Sequence, residues 1–224
     1  MTCFKLSKKL IKNLHRLIAY FWWGGGGGGG GGCKMHWSKY NVMFNGKDRG
    51  GMGFRDLGCF NQAMLAKQGW RLIRNPDSLV GKVLKACYFP NGDFLCSKKG
   101  KHASFVWSSI IWGREIIEKG SRWRVGSGLN IDIFKDRWLP IPPLYKPSPP
   151  PPPPPFPRNF NMGMLRLESG DGNRLLIEHL FGVEDASAIL SLLVGSFDHT
   201  DILFWHFTKD GEYSVKSGCK VALE

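Results

Sequence analysis

Apolar residues recur at helical spacing from the start of the chain. Leu10, Leu14, Leu17, Ile18 and Phe21 share one face over residues 7–22, and Lys8, Lys9, Lys12 and Arg16 lie largely on the other. Ser7 is placed to cap that helix, because its hydroxyl can accept a first-turn amide. A second helix is predicted over residues 61–74, where Ala63, Ala66, Trp70 and Ile73 form a stripe flanked by Leu65 and Leu72, and Pro76 ends it. Ser78 is placed to cap a third, with Leu79, Val80, Val83, Leu84 and Cys87 on one face. A fourth is predicted from Ser104 to about Lys119, turning Trp107, Ile110, Ile111 and Ile117 inward. Short helices follow over residues 175–181 and 186–193, and Ser217 opens a last one.

Two stretches change period. RWRV and IDIF alternate across GSGLN, which predicts a β-hairpin over residues 122–134, with Trp123 and Val125 on one face and Arg122 and Arg124 on the other. Residues 202–215 form a second hairpin candidate with its turn near Lys209, Asp210 and Gly211. The segment KDRGGMGFRDL at 47–57 reads as a turn, a Gly-rich bend and a short extended piece.

Two low-complexity tracts interrupt the pattern. Nine glycines at 24–32 have no side chains to bury and read as a flexible tether. They are not a phosphate loop, which needs a lysine and a hydroxyl residue after spaced glycines. Seven prolines at 149–155 read as a polyproline rod of roughly 22 Å at ~3.1 Å per residue. The expected fold class is α+β: a mainly helical N-terminal part with a β-hairpin, then a small mixed C-terminal part. The expected organisation is a basic amphipathic helix at 1–23, a glycine linker at 24–32, a helical and hairpin region at 33–140, a Pro-rich linker at 141–160 and a small mixed segment at 161–224.

Charge sharpens this picture. The chain carries 31 Lys and Arg against 18 Asp and Glu, a net charge of +13. Residues 1–140 hold 24 of the cations and 8 of the acids, a balance of +16, and residues 141–224 come to −3. So one-sided a field attracts polyanions through phosphate pairing and counterion release, which makes RNA or DNA the expected partner. The candidate nucleic-acid-binding residues are Lys47, Arg49 and Arg55 around the Gly-rich bend, Lys98, Lys99 and Lys101 in a basic loop, and Arg114, Arg122 and Arg124 near tryptophans. No stretch approaches the ~20 apolar residues of a membrane span, so no membrane partner is expected. The basic, acid-free first residues also suit an organelle presequence, but the nucleus or cytoplasm is the expected compartment.

Catalytic chemistry is hard to place. Two-metal polymerases and nucleases need converging carboxylates, and the chain contains no Asp-Asp pair. Glu184 and Asp185 suit a helix start, Asp132 sits in an alternating segment facing solvent, and Asp136 precedes Arg137 as a local ion pair. No G-x-S-x-G elbow is present. The six cysteines include no C-x-x-C pair, so they read as free thiols in a reducing compartment rather than a zinc site. No cofactor, no metal and no catalytic residue is expected.

Several strings occur together and in order: FWWG at 21–24, KMHWSKY at 34–40, GGMGFRDL at 50–57, FNQAMLAKQGWRLI at 60–73, SLVGKVLKACYFP at 78–90, SRWRVGSGLNIDIFKDRWLP at 121–140 and WHFTKDGEYSVKSG at 205–218. They resemble the region downstream of the reverse transcriptase domain in plant LINE-type retrotransposon polyproteins. The resemblance implies that the polymerase aspartates lie upstream of the matched segment. It implies that a zinc-binding module, and in many copies a ribonuclease H domain, lie downstream. Residues 1–23 would be thumb-like, and the helices to Lys119 a connecting region that packs on the polymerase. The glycine and proline runs depart from the family pattern. The expected function is therefore that of a non-catalytic polyprotein fragment with sequence-independent nucleic-acid affinity; the alternative is a host protein-interaction module using the proline rod or the basic helix.

Overall fold

A computed structural model describes residues 3–22, 50–141, 144–148, 160–167, 171–192 and 199–223. The glycine and proline runs, Lys47 and Arg49 lie outside the described residues. Seven α-helices and two short strands form among those described, so the chain is mainly helical α+β, as the sequence predicts. The chain divides into two units, Met1–Lys119 with Tyr213–Glu224, and Gly120–Glu212.

In the first unit, α1 (Lys8–Trp22) starts where Ser7 caps it: the Ser7 hydroxyl accepts from the Leu10 amide at 3.2 Å. Helix α2 (Leu57–Arg74) begins at Leu57 rather than at Asn61. Two acceptors make the earlier start possible. The Asp56 carboxylate takes the Cys59 amide at 2.8 Å, and His15 Nε2 on α1 takes the Leu57 amide at 3.1 Å. Asn61 is fully buried and ties down the first residues, since its side chain accepts from the Leu6 amide and donates to the Phe4 carbonyl. Helix α4 (Phe105–Gly120) is capped by Ser104 and buries Trp107, Ile110, Ile116 and Ile117. Helix α7 (Val215–Leu223) packs on α2, where the buried Tyr213 hydroxyl donates to the Ala63 carbonyl at 3.0 Å.

Helix α3 (Leu79–Tyr88) is capped by Ser78, but its apolar face does not point inward. Leu79, Val80 and Val83 are 81%, 62% and 53% exposed. The helix is anchored by its C-terminal end instead: Tyr88 and Phe89 stack on buried Trp107 with ring centroids 4.6 and 5.5 Å apart. Aromatic stacking at one end outcompeted the aliphatic stripe along the side, because flat rings bury more area per residue.

In the second unit, β1 (Ser121–Arg124) pairs antiparallel with β2 (Ile202–Trp205), Arg122 opposite Phe204 and Arg124 opposite Ile202. Neither expected hairpin forms. The GSGLN stretch does not turn β1 back on residues 131–134, because the Asp201 carboxylate captures it: Gly126 and Gly128 each donate at 2.8 Å and Asn130 at 3.1 Å. Residues 131–133 pair with 160–162 instead. The turn expected near residues 209–211 is present, since the Trp205 amide reaches the Gly211 carbonyl at 2.7 Å and Gly211 takes φ +73°. The strand beyond it does not form, because Tyr213 belongs to the core of the other unit. Helices α5 (Arg174–Leu180) and α6 (Val183–Leu192) close the second core, built from Ile131, Ile133, Trp138, Leu139, Met162, Leu165, Ile177, Leu180, Phe181, Ala186 and Ile189.

Helices α2 and α4 cross where Gly113 meets the Leu65–Ala66 backbone, and a Cβ at Gly113 would lie 2.5 Å from the Ala66 nitrogen. Gly113→Ala is expected to cost about 1–3 kcal/mol by overpacking. Gly92→Ala, where a Cβ meets nothing within 4 Å, should be close to neutral. Urea denaturation of the two variants against the parent checks the difference.

Candidate functional site

The β1–β2 register sorts side chains between two faces. Ser121, Trp123, Leu203 and Trp205 share the inner face, and all but half-buried Trp123 are buried. Arg122, Arg124, Ile202 and Phe204 share the outer one, with Arg124 and Ile202 exposed and Arg122 and Phe204 half-buried. The expected alternation of Arg122 and Arg124 on one face is therefore present, with a partner strand that the sequence did not indicate.

This outer face is a cation–aromatic cluster. The Arg122 guanidinium lies 4.7 Å from the Tyr145 ring centroid and 5.7 Å from that of Phe204. Arg124 lies 5.6 Å from Phe204, and Arg137 lies 5.0 Å from the same Tyr145 ring. Each such contact contributes roughly 0.5–1 kcal/mol when exposed and about 2 kcal/mol when desolvated. Arg122 and Arg137 share one ring, so their guanidinium carbons are at most about 10 Å apart. Two like charges at that separation repel by about 0.4 kcal/mol in water and about 1.7 kcal/mol at an effective dielectric of 20. Burial holds both below the ordinary guanidinium range; Tyr145 opposes the shift in each, and Arg137 adds to it at Arg122. Neither Arg122 nor Arg124 pairs with a described carboxylate.

His206 completes the cluster. Its Nδ1 lies 3.2 Å from Arg122 Nη1 and its Nε2 lies 3.2 Å from the Tyr145 hydroxyl. A guanidinium only donates, so Nδ1 is the acceptor and the ring proton sits on Nε2, directed at Tyr145. Burial, then the Arg122 and Arg137 charges, hold His206 below the ordinary imidazole range.

The remaining expected residues are placed differently. Lys98, Lys99 and Lys101 lie exposed in one loop around Gly100, whose φ of +74° lets the chain turn there. None of the three pairs with a described carboxylate. Arg55 is exposed over the Phe60 ring. Arg114 is engaged within the first unit: it donates to the Phe94 and Ser97 carbonyls and pairs with Glu118 at 2.8 Å. Asp132 is not a solvent-facing strand residue. Its carboxylate takes the Phe134 and Lys135 amides, and Asp136 takes the Asp132 amide at 2.7 Å rather than pairing with Arg137. Glu184 and Asp185 open α6 as expected, and Asp185 also accepts from the Ser148 amide. Among the described residues, no group of three or more His, Cys, Asp or Glu side chains is placed to hold a metal ion, and no helix is long and apolar enough to cross a membrane. Sequence reasoning missed Arg137, Tyr145, Phe204 and His206, which no local pattern connects to Arg122.

An uncharacterised mitochondrial protein of Arabidopsis thaliana is 40% identical to the chain over 148 residues, which are 64% of this chain and 95% of that protein. The chain belongs to the family of that protein. A second Arabidopsis thaliana protein, which carries a provisional ribonuclease H name, is 28% identical over 200 residues. That match takes in 82% of this chain but spans only 30% of the longer relative. No family model matches, and no solved structure matches.

In this family member two histidines give stability a definite pH dependence. His15 and His206 each accept a hydrogen bond only when neutral. Both are held below the ordinary value, His15 by burial that Asp56 partly offsets. In the window between the folded and the ordinary value the unfolded chain binds more protons, so stability is complete above the window and falls as pH drops through it. The urea midpoint is expected to decrease from about pH 7.5 to about pH 5.5, where an ordinary histidine titrates near ~6.5. His206→Asn, which keeps an acceptor but cannot titrate, should flatten part of that slope.

Proposed function

We propose that this chain is a non-catalytic piece of a plant LINE-type retrotransposon polyprotein related to reverse transcriptase, and that it binds RNA or DNA without sequence preference. In this reading residues 1–23 and 33–140 correspond to the thumb-like and connecting region beyond the polymerase domain, and the protein works in the nucleus or cytoplasm. The ordered strings from FWWG to YSVKSG support the origin. So does the likeness to a much longer relative that carries a ribonuclease H name.

The observation that carries the binding role is a set of cations without carboxylate partners. Lys98, Lys99, Lys101, Arg122 and Arg124 make no ion pair with a described acid. Internal pairing would have neutralised these charges; left open, each can hold a phosphate and release a counterion. Backbone contacts of that kind carry no base information, hence the lack of sequence preference.

Fluorescence anisotropy with single- and double-stranded RNA and DNA tests this. Affinity should fall steeply with salt, and joint replacement of Lys98, Lys99 and Lys101 by Gln should weaken every probe alike. The same replacement should flatten the log–log salt slope by roughly one for each phosphate that is no longer neutralised. No binding at low salt, or binding indifferent to salt, contradicts the proposal.

A further inference from the structure

The Arg122 cluster has features that a merely solvated basic surface does not need. Two guanidiniums converge on one aromatic ring although they repel. Arg122 Nε is buried and has no hydrogen-bond partner, a cost that folding normally avoids. Tyr145, the ring beneath both, is the one described non-glycine residue with positive φ, at +57°. Its left-handed backbone is held from both sides, by its amide on the Ile141 carbonyl at 3.0 Å and its carbonyl on the Leu139 amide at 2.9 Å. Strain maintained in this way collects where a side chain must be presented in one position.

We infer that Arg122, Arg137, Tyr145 and His206 form a discrete site for one phosphate group of a nucleic-acid strand. The inference rests on the nucleic-acid-binding reading and narrows it to one place. The donors suit an oxyanion. Arg122 brings a planar guanidinium, which suits bidentate contact, and the Tyr145 hydroxyl hydrogen is available because that oxygen accepts from His206 Nε2. The groups facing His206 are Arg122 on β1, Arg137 in the segment before Tyr145, and Tyr145 itself. Among the described residues these are all cationic or neutral, so a bound phosphate adds negative charge beside the ring. Binding therefore favours uptake of a solvent proton on Nδ1, which frees Arg122 Nη1 and turns His206 into a further donor.

The histidine rings of the full chain, observed by nitrogen-15 NMR, give the test. Sodium phosphate, against sodium chloride at matched ionic strength, should raise the titration midpoint of His206 and leave His102 and His179 unmoved; an oligothymidylate should do the same. Arg122→Gln should abolish the response and weaken oligothymidylate roughly tenfold, whereas the Lys98, Lys99 and Lys101 replacements should leave the His206 response intact. If Arg122→Gln does not fold, the parent's His206 response decides alone. Strand binding with His206 unmoved overturns this site and leaves the general reading standing. A His206 response to free phosphate with no strand bound overturns the strand assignment, and the general reading with it.

Discussion

The arrangement of the second unit depends on one carboxylate. Asp201 accepts three backbone amides from residues 126–130, and it immediately precedes β2. That contact fixes where β2 enters against β1 and hence which residues face each other. A slip of one position would exchange the faces, burying Arg122 and Arg124 and exposing Leu203 and Trp205. The grip is strong for its size, because hydrogen bonds to a charged acceptor contribute about 1.5–3 kcal/mol each. The cation–aromatic face, the tautomer of His206 and the position of Tyr145 against Arg122 all follow from that register.

The first unit is governed by close approach rather than by charge. Glycines at 69 and 113 let side chains and backbone sit where a methyl group would collide, and buried Tyr213 fastens the last helix to α2. Buried Asn61 and nearly buried His15 link α1 and the residues before it to α2 by hydrogen bonds. The apolar faces left exposed on α3 and the end of α1 contribute little to this packing.

Helices were legible in the sequence because their signals are local. Ser7, Ser78 and Ser104 each cap the helix that follows, and Trp107, Ile110 and Ile117 point inward as their spacing predicts. The strand pairing was not legible, since the residues that set it are 71–75 positions apart and alternation alone names no partner. Nor was the candidate site: Arg122 and His206 are separated by 84 residues, and Tyr145 and His206 by 61. The periodicity of α3 names an apolar face but not what covers it. An amphipathic pattern states which face is apolar, and Trp107 decided which end of the helix would be covered. Basic residues were visible as a class, but sorting open cations from structural ones required the fold. Arg114 pairs with Glu118 and donates to backbone carbonyls, whereas Arg122 and Arg124 pair with no described carboxylate.

A strand carrying photoreactive 4-thiothymidine tests the central claim most directly. Irradiated with the full chain and mapped by mass spectrometry, it should attach at Tyr145, Phe204 or His206. Attachment at those side chains that unlabelled strand suppresses is the predicted result. Attachment only within residues 50–119, or attachment that competitor does not reduce, would contradict the assignment of the arginine–aromatic face as the surface that holds nucleic acid.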